Sequence, residues 1–341
     1  MKRSIGIDLG TSNTRLYLKG KGIVLREPSY VAIDTHSYKV LAAGKEAYDM
    51  IGRTPGDMAT FRPLREGVIA DFDVAVTMLR LFIEKAVGSL SLNQCRTILS
   101  VPEGVTEVEK RAVEEAALEA GAVSVALIES PVAAALGAGL PITEARGNMV
   151  VDMGGGITEA AVISMGNIVL SDSLRIGGSQ LDDAIFTYIK YNRNILIGEQ
   201  AAEELKIENG SVFEGRSKDD ADIRGRNLIS GLPAVSRITS DELREAMSEQ
   251  VDRMAEGICR VLEQTPPELA SDIYDGGITL VGGGAMLCGF SDLLNKRTGI
   301  RIHVAPAAED CIVNGIGTLL DNESAGNSLL SFRSRPRRSF L

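Results

Sequence analysis

The apolar positions fall into runs whose order is repeated. Residues 4–9 form a short apolar run that carries a carboxylate, Asp8, at its end and opens into a polar turn, Gly10-Thr11-Ser12-Asn13-Thr14. Residues 149–151 form a second run, which ends in Asp152 and the glycine turn Gly154-Gly155-Gly156. Alternating positions follow each turn, over 15–19 and 158–164, the period of a half-buried strand. The second of these leads through Met165-Gly166-Asn167, where Gly and Asn supply the positive φ of a tight hairpin, into a strand at 168–171. Two copies of strand, Asp-x-Gly, strand predict a duplicated α/β unit, with the copies 144 residues apart (152 minus 8).

Each copy is followed by βα patterns. Residues 97–101 read as a buried strand stopped by Pro102. A helix is expected over 74–87. Thr106 with Glu109 makes a capping box for another that runs to about Ala120, with Gly121 as its stop. In the second half, Thr239 with Glu242 opens a long helix. Its residues Leu243, Met247, Val251, Met254, Ile258, Val261 and Leu262 recur in steps of three and four, one buried stripe, and Pro266-Pro267 ends it. The apolar block 278–281 then feeds Gly282-Gly283-Gly284. Between these cores, 27–70 carries Pro28, Pro55 and Pro63, and 181–239 is charged; both read as smaller inserted subdomains. The predicted division is 1–26 with 71–146 and 318–330 as one core, and 147–180 with 240–317 as the other. Residues 27–70 and 181–239 are the insertions, and 331–341 is a basic flexible tail.

Composition narrows the classes. A length of 341 residues suits two lobes, and a net charge of −10 argues against nucleic acid as a partner. Cys95, Cys259, Cys288 and Cys311 are scattered, without a CxxC pair, and only His36 and His303 could join them. A zinc site is therefore not expected, and the cysteines read as small buried hydrophobes in a reducing cytoplasm. Asp8 interrupts any signal-peptide core, and the weakly polar stretch 131–142 is far short of a membrane span. The chain is expected to be neither secreted nor transmembrane.

The repeated turns carry the candidate chemistry. Successive N–H groups of a polar, glycine-containing turn can cradle anionic oxygens. A carboxylate at the end of each strand suits hydrated Mg²⁺, which takes few protein ligands. The two loops are expected to clamp a nucleotide tail and its metal between the lobes, with Gly282-Gly283-Gly284 as a place for a flat base or ribose. No GxxxxGK[ST] and no helix-opening GxGxxG is present, so this is neither a P-loop nor a Rossmann fingerprint.

These turns come with further segments: Gly-Val-Ile-Ala-Asp-Phe at 67–72, Leu-Arg-Ile-Gly-Gly at 174–178, Arg-Gly-Arg-Asn-Leu at 224–228 and Glu-Gln-Thr-Pro-Pro-Glu-Leu at 263–269. Together, from about residue 4 to 320, the chain resembles the MreB/Mbl family of bacterial actins within the actin, sugar-kinase and DnaK-type superfamily. The resemblance implies an α/β, actin-like ATPase fold: two duplicated RNase H-like lobes with inserted subdomains around a nucleotide cleft. It also implies ATP and Mg²⁺ as cofactors, and self-assembly into filaments, with paired protofilaments, at the inner face of the cell membrane. Cell-wall synthesis and shape proteins would be the partners. By the same resemblance Asp8 and Asp152 hold Mg²⁺ through water. Gly10, Thr11, Ser12, Asn13 and Thr14, with Gly154, Gly155 and Gly156, contact phosphates. Glu203 and Lys206 match a ribose-contacting pair, though on spacing alone they also fit an i,i+3 surface ion pair worth a few tenths of a kcal/mol. Gly282, Gly283, Gly284 and Ala285 line the adenosine pocket.

Two positions depart from the family pattern. The usual Ile-Glu-Glu-Pro is Ile128-Glu129-Ser130-Pro131, and the usual Gly-Gly-Gly-Thr-Thr-Glu is Gly154-Gly155-Gly156-Ile157-Thr158-Glu159. The candidate catalytic positions are Glu129, Ser130, Ile157 and Thr158. Ser130 can hydrogen-bond a water but cannot act as a carboxylate base, and Ile157 offers no hydrogen bond. The expectation is a nucleotide-binding filament with slow or absent hydrolysis; the alternative is that Glu129 or Glu159 compensates. A small-molecule kinase is the other reading on this fold, and a chaperone-like ATPase would need a further domain. Candidate membrane anchors are Leu90 and Leu92 on a turn, and the tail with four Arg plus Phe332, Phe340 and Leu341, each Arg worth about 1 kcal/mol near anionic lipid.

Overall fold

A computed structural model describes residues 3–88, 95–322, 330 and 333–334. The candidate anchor turn with Leu90 and Leu92, and the tail apart from 333–334, lie outside the described residues. The chain divides into two compact units. The first holds Met1–Glu144, Met165–Asn167 and Glu309–Leu341, and the second Ala145–Ser164 and Ile168–Ala308.

In the first unit β1 (Arg3–Leu9), β2 (Asn13–Leu18) and β3 (Gly22–Pro28) form an antiparallel meander. A small sheet of β4 (Val31–Asp34), β5 (Val40–Ala43) and, after helix α1 (Lys45–Asp49), β6 (Met58–Phe61) lies within the predicted insertion 27–70. The hairpin β7 (Leu64–Arg65) and β8 (Val68–Ile69) leads to α2 (Phe72–Val87), two residues longer than expected because Asp71 caps it by accepting from the Val74 N–H. β9 (Cys95–Val101) runs parallel to β1, and α3 (Glu107–Glu119) starts at the predicted Thr106/Glu109 capping box. β10 (Ser124–Glu129) lies parallel to β9 and passes directly into α4 (Ser130–Gly137). The sheet order is β10-β9-β1-β2-β3, and its apolar face buries Ile5, Ile7, Leu16 and Leu99 with Leu79 and Phe82 of α2.

The second unit repeats the opening meander with β11 (Asn148–Met153), β12 (Thr158–Ser164) and β13 (Asn167–Leu174). Its hairpin corrects one expectation. The left-handed residues are Met165 (φ 52°) and Gly166 (φ 76°), since both central positions of such a turn need positive φ. Asn167 already belongs to β13 and donates its amide to the Met165 carbonyl at 2.9 Å. Then follow α5 (Gly178–Arg193), β14 (Ile195–Leu196), α6 (Glu199–Glu208), β15 (Ala221–Asn227) and β16 (Pro233–Ile238). The long helix α7 (Ser240–Gln264) carries the predicted capping box and stripe: Leu243, Met247, Val251, Met254, Ile258 and Val261 are buried and Leu262 partly so. After α8 (Pro267–Gly276) come β17 (Ile278–Val281), a 3₁₀ turn over Gly283–Met286, α9 (Phe290–Thr298) and β18 (Ile302–Val304). The sheet order is β13-β12-β11-β17-β18, with β17 parallel to β11.

The chain then returns to the first unit with α10 (Cys311–Asp321) and β19 (Arg333–Ser334), which pairs antiparallel with β10. The second compact unit gives way to the first at Glu309, ahead of α10, which packs as one helix on α4 and β1. Gly137 and Gly315 set that packing. A Cβ at Gly137 would strike the Cys311 carbonyl, and one at Gly315 the Ala133 carbonyl, so the two backbones touch. Gly6 likewise receives Ile316 of α10. None of the four cysteines forms a disulfide, and Cys95 and Cys311 are buried. No helix among the described residues is long and apolar enough to cross a membrane.

Candidate functional site

The candidate residues of each unit gather at the carboxyl ends of its parallel strands, the usual place for ligands on open α/β sheets. In the first unit the register Ile7↔Leu99↔Leu127 sets Asp8, Ser100 and Ile128 side by side at that end, with Glu129 and Ser130 following. Asp8 and Ser130 are buried and Glu129 is half-buried. Asp8 accepts from the Ser100 hydroxyl at 3.3 Å and lies 3.8 Å from Arg15, its partner across the β1–β2 ladder. Burial pushes its carboxyl up to about 6, against the opposing pull of Arg15 and of the Ser100 hydrogen bond.

The turn 10–14 is pinned by side chains. Ser29 Oγ donates to the Gly10 carbonyl at 2.7 Å and shares a 2.8 Å bond with Thr14 Oγ1. The Ser29 N–H reaches the Ser12 carbonyl, and Thr11 Oγ1 accepts from the Gly67 N–H at 2.9 Å. Thr11 and Thr14 are buried, while Asn13 is exposed at the tip. Gly10 has no room for a side chain: its Cβ would come within 2.6 Å of the Asn13 carbonyl oxygen.

In the second unit the corresponding turn is held by backbone. The Gly154 N–H donates to the Ile157 carbonyl at 2.9 Å, and the Gly178 and Ser179 N–H groups at the start of α5 donate to the Gly154 and Gly155 carbonyls at 3.0 and 2.8 Å. A Cβ on Gly177 would come within 2.6 Å of the Gly154 oxygen. The third glycine turn closes on the same place. β17 sets Val281 beside Asp152, and Gly282 turns with φ 80° so tightly that a Cβ would meet Asp152 Oδ1 and the Met153 oxygen at 2.5 Å. Gly284 packs on Met153, Gly283 is exposed, and Ala285 is buried in the 3₁₀ turn. Ile157 is buried, and Thr158 donates its hydroxyl to the Ile176 carbonyl at 2.7 Å, so that hydroxyl is engaged in the fold. Gly156 and Glu159 are buried.

Lys206 also belongs here. Its ammonium is 2.7 Å from Asp182 and donates to the Gly178 carbonyl at 3.0 Å, which ties α6 to the glycine turn through α5. Glu203, one turn earlier on α6, is half-buried. The residues that the sequence reading missed are the supports: Arg15, Ser29, Gly67, Ser100, Gly178 and Asp182. Arg15 had a local signal, since the hairpin turn after β1 fixes its register against Asp8, and Gly67 and Gly178 lie in segments singled out for the family resemblance without a site role.

The donor set fits Mg²⁺ rather than a metal caged by protein. Among the described residues no group of three or more His, Cys, Asp or Glu side chains gathers. Asp8 in the first unit and Asp152 in the second are each a buried carboxylate beside a glycine-containing turn, donor chemistry of the kind that suits a hydrated cation with few protein ligands. A bound cation would offset the burial cost of the Asp8 charge.

Comparison with known proteins agrees with this geometry. The family profile for the MreB/Mbl protein matches residues 2–328. The cell shape-determining protein Mbl of Bacillus subtilis is 47% identical over 94% of this chain and 96% of its own length. The cell shape-determining protein MreB of Escherichia coli is 47% identical over 93% of each. Among solved structures, MreB 5 of Spiroplasma citri bound to AMPPNP superposes with a TM-score of 0.91 at 35% identity, over 96% of this chain and 98% of that one. A MamK double helical filament, at 18% identity and a TM-score of 0.79, shares the fold over 94% of this chain and 99% of its own. The fold is actin-like, and the chain belongs to the MreB/Mbl family of cell shape-determining proteins.

Proposed function

We propose that this protein is an ATP-binding bacterial actin that assembles into filaments at the inner face of the cell membrane, where it organises cell-wall synthesis. The observation that carries the nucleotide reading is the duplicated turn: a buried Asp at a strand end, followed by a glycine-containing turn packed too closely for a Cβ at Gly10 in the first copy, and at Gly177 and Gly282 against the second. Support also comes from the relative solved with AMPPNP, which has the same fold over nearly its whole length. In this reading Gly10, Thr11, Ser12, Asn13, Thr14 and Gly154, Gly155, Gly156 present N–H and hydroxyl groups to phosphate oxygens. Lys206 and Glu203 contact the ribose, and Gly282, Gly283, Gly284 and Ala285 the adenosine. Asp8 and Asp152 hold Mg²⁺ through water, and the metal when bound supplies charge neutralisation at the phosphates.

Hydrolysis is the step that this chain is poorly equipped for. A positioned water needs an acceptor that can take its proton, and losing one costs roughly 10²–10⁴-fold. Ser130 offers a hydroxyl there, and Ile157 a buried hydrocarbon. The filament is therefore governed by nucleotide binding more than by turnover. The test measures Mg-ATP binding, sedimentation and phosphate release together, over a range of protein concentrations. Binding and pelleting with release near background are expected. Release that accelerates above a critical concentration overturns the slow-hydrolysis part, and absence of both binding and pelleting overturns the whole reading.

A further inference from the structure

Arg15 touches more carboxylates than a single ion pair requires. Its side chain is only 11% exposed, with Asp8 at 3.8 Å, Glu309 at 2.9 Å and Asp310 at 3.1 Å. Arg26 grips Asp310 from the other side with two hydrogen bonds of 2.8 and 3.2 Å. Glu309 and Asp310 stand immediately before α10, which packs on β1 beneath Asp8. The guanidinium thus makes its two close contacts away from Asp8 and its long contact with Asp8. The hydrogen bond from Arg15 Nη2 to Glu309 Oε2 fixes the direction of the guanidinium, and the ion pair with Asp310 adds charge attraction on the same side.

We propose that Arg15 is the resident counter-ion of Asp8 and that Glu309 and Asp310 hold it back, so that this clamp sets how tightly Asp8 takes a divalent cation. The inference rests on reading Asp8 as a water-mediated Mg²⁺ ligand. Arg15 is then a positioning residue: it shields the buried carboxylate when no metal is bound, yet at 3.8 Å it makes no hydrogen bond to the Asp8 oxygen that it faces. If the clamp opens, Arg15 closes on Asp8 and competes with the metal. If Arg15 is removed, the competitor is gone.

The two changes therefore move Mg²⁺ affinity in opposite directions, which a merely structural role would not do. The readout is the Mg²⁺ concentration at half-maximal retention of a fluorescent ATP analogue by the full chain. Arg15→Leu lowers that midpoint, and Glu309→Gln raises it, each on the order of tenfold, within the range of couplings between touching charges. Removing a charge anywhere nearby would also shift the midpoint, so the double variant decides. In the Arg15→Leu background, Glu309→Gln has no further effect if it acts through Arg15, and an additive effect overturns the proposal. Midpoints that move the same way, or a Glu309→Gln midpoint equal to that of the parent, overturn it as well. Should Arg15→Leu not fold, Arg15→Gln, which removes the charge and keeps a polar side chain, takes its place in both the single and the double variant, and Glu309, 46% exposed in its side chain, tolerates the accompanying change. A parent chain that retains no analogue at any Mg²⁺ concentration overturns the site reading and this inference with it. Retention by the parent with the wrong pattern of shifts overturns the inference alone.

Discussion

The turns after Asp8 and Asp152 present similar chemistry but are built in opposite ways. The first is held from outside by hydroxyls: Ser29 binds the Gly10 carbonyl and Thr14, and Thr11 is tied to Gly67. The second is held by main chain, with N–H groups of Gly154, Gly178 and Ser179 closing on it and the glycines 177, 282 and 284 pressed against it. A turn held by side chains is sensitive to loss of a hydroxyl. A turn held by close backbone contact is sensitive to the gain of a single carbon.

Under the proposed function the largest expected effect is on hydrolysis. Restoring the family residues on both sides, Ser130→Glu with Ile157→Thr, is expected to raise steady-state phosphate release by roughly 10²–10⁴-fold. Each single change should recover only part of it, which a phosphate-release assay on matched filament mass would read. Next comes the backbone-held turn. Gly282→Val puts a β-branched residue at φ 80° against Asp152 and Met153, so a loss of about 3 kcal/mol or more in urea unfolding is expected, together with nucleotide binding.

The buried carboxylate of the first turn gives a pH signature. With its carboxyl pushed up from 3.8 to about 6, the folded chain keeps a proton on Asp8 that the unfolded chain has already lost between those values. This contribution to stability is therefore fully present below about pH 4 and is lost as pH rises through 6, by about 3 kcal/mol in metal-free protein. Relative to Asp8→Asn, the metal-free parent should lose stability as pH rises from about 4 through 6; a stability difference that stays constant over that window removes Asp8 as its cause. The smallest effect distinguishes the hydroxyl-held turn. Ser29→Ala strips the Gly10 carbonyl and Thr14 of a buried partner, for about 1–3 kcal/mol, with nucleotide affinity falling more than affinity for Mg²⁺.

What was legible in the sequence was local. Both strand–turn–strand devices, the capping boxes at Thr106/Glu109 and Thr239/Glu242, and the stripe of α7 follow from residues within one or two turns of each other. The hairpin tip failed by one position, because Met165 carries a conformation that its chemistry does not advertise. The supports of the site were hidden for a different reason. Ser29 is 19 residues from Gly10, Gly67 is 56 from Thr11, and Glu309 is 294 from Arg15. Only the folded sheet brings such pairs together. The packing of α10 on α4 is likewise a tertiary fact, with no local signal in the sequence.

The glycine contact between α4 and α10 has a mechanical consequence. Where Gly137 meets Gly315, no side chain is left to slide or to switch rotamer, so the two helices cannot slip past each other by a fraction of a turn. They behave as one strut. One end of that strut begins at Ser130 and the other at Cys311, directly after the acidic pair that grips Arg15. A bulky residue at Gly137 or Gly315 would act as a wedge between the two backbones and is expected to displace the acidic pair at the head of α10 relative to Ser130.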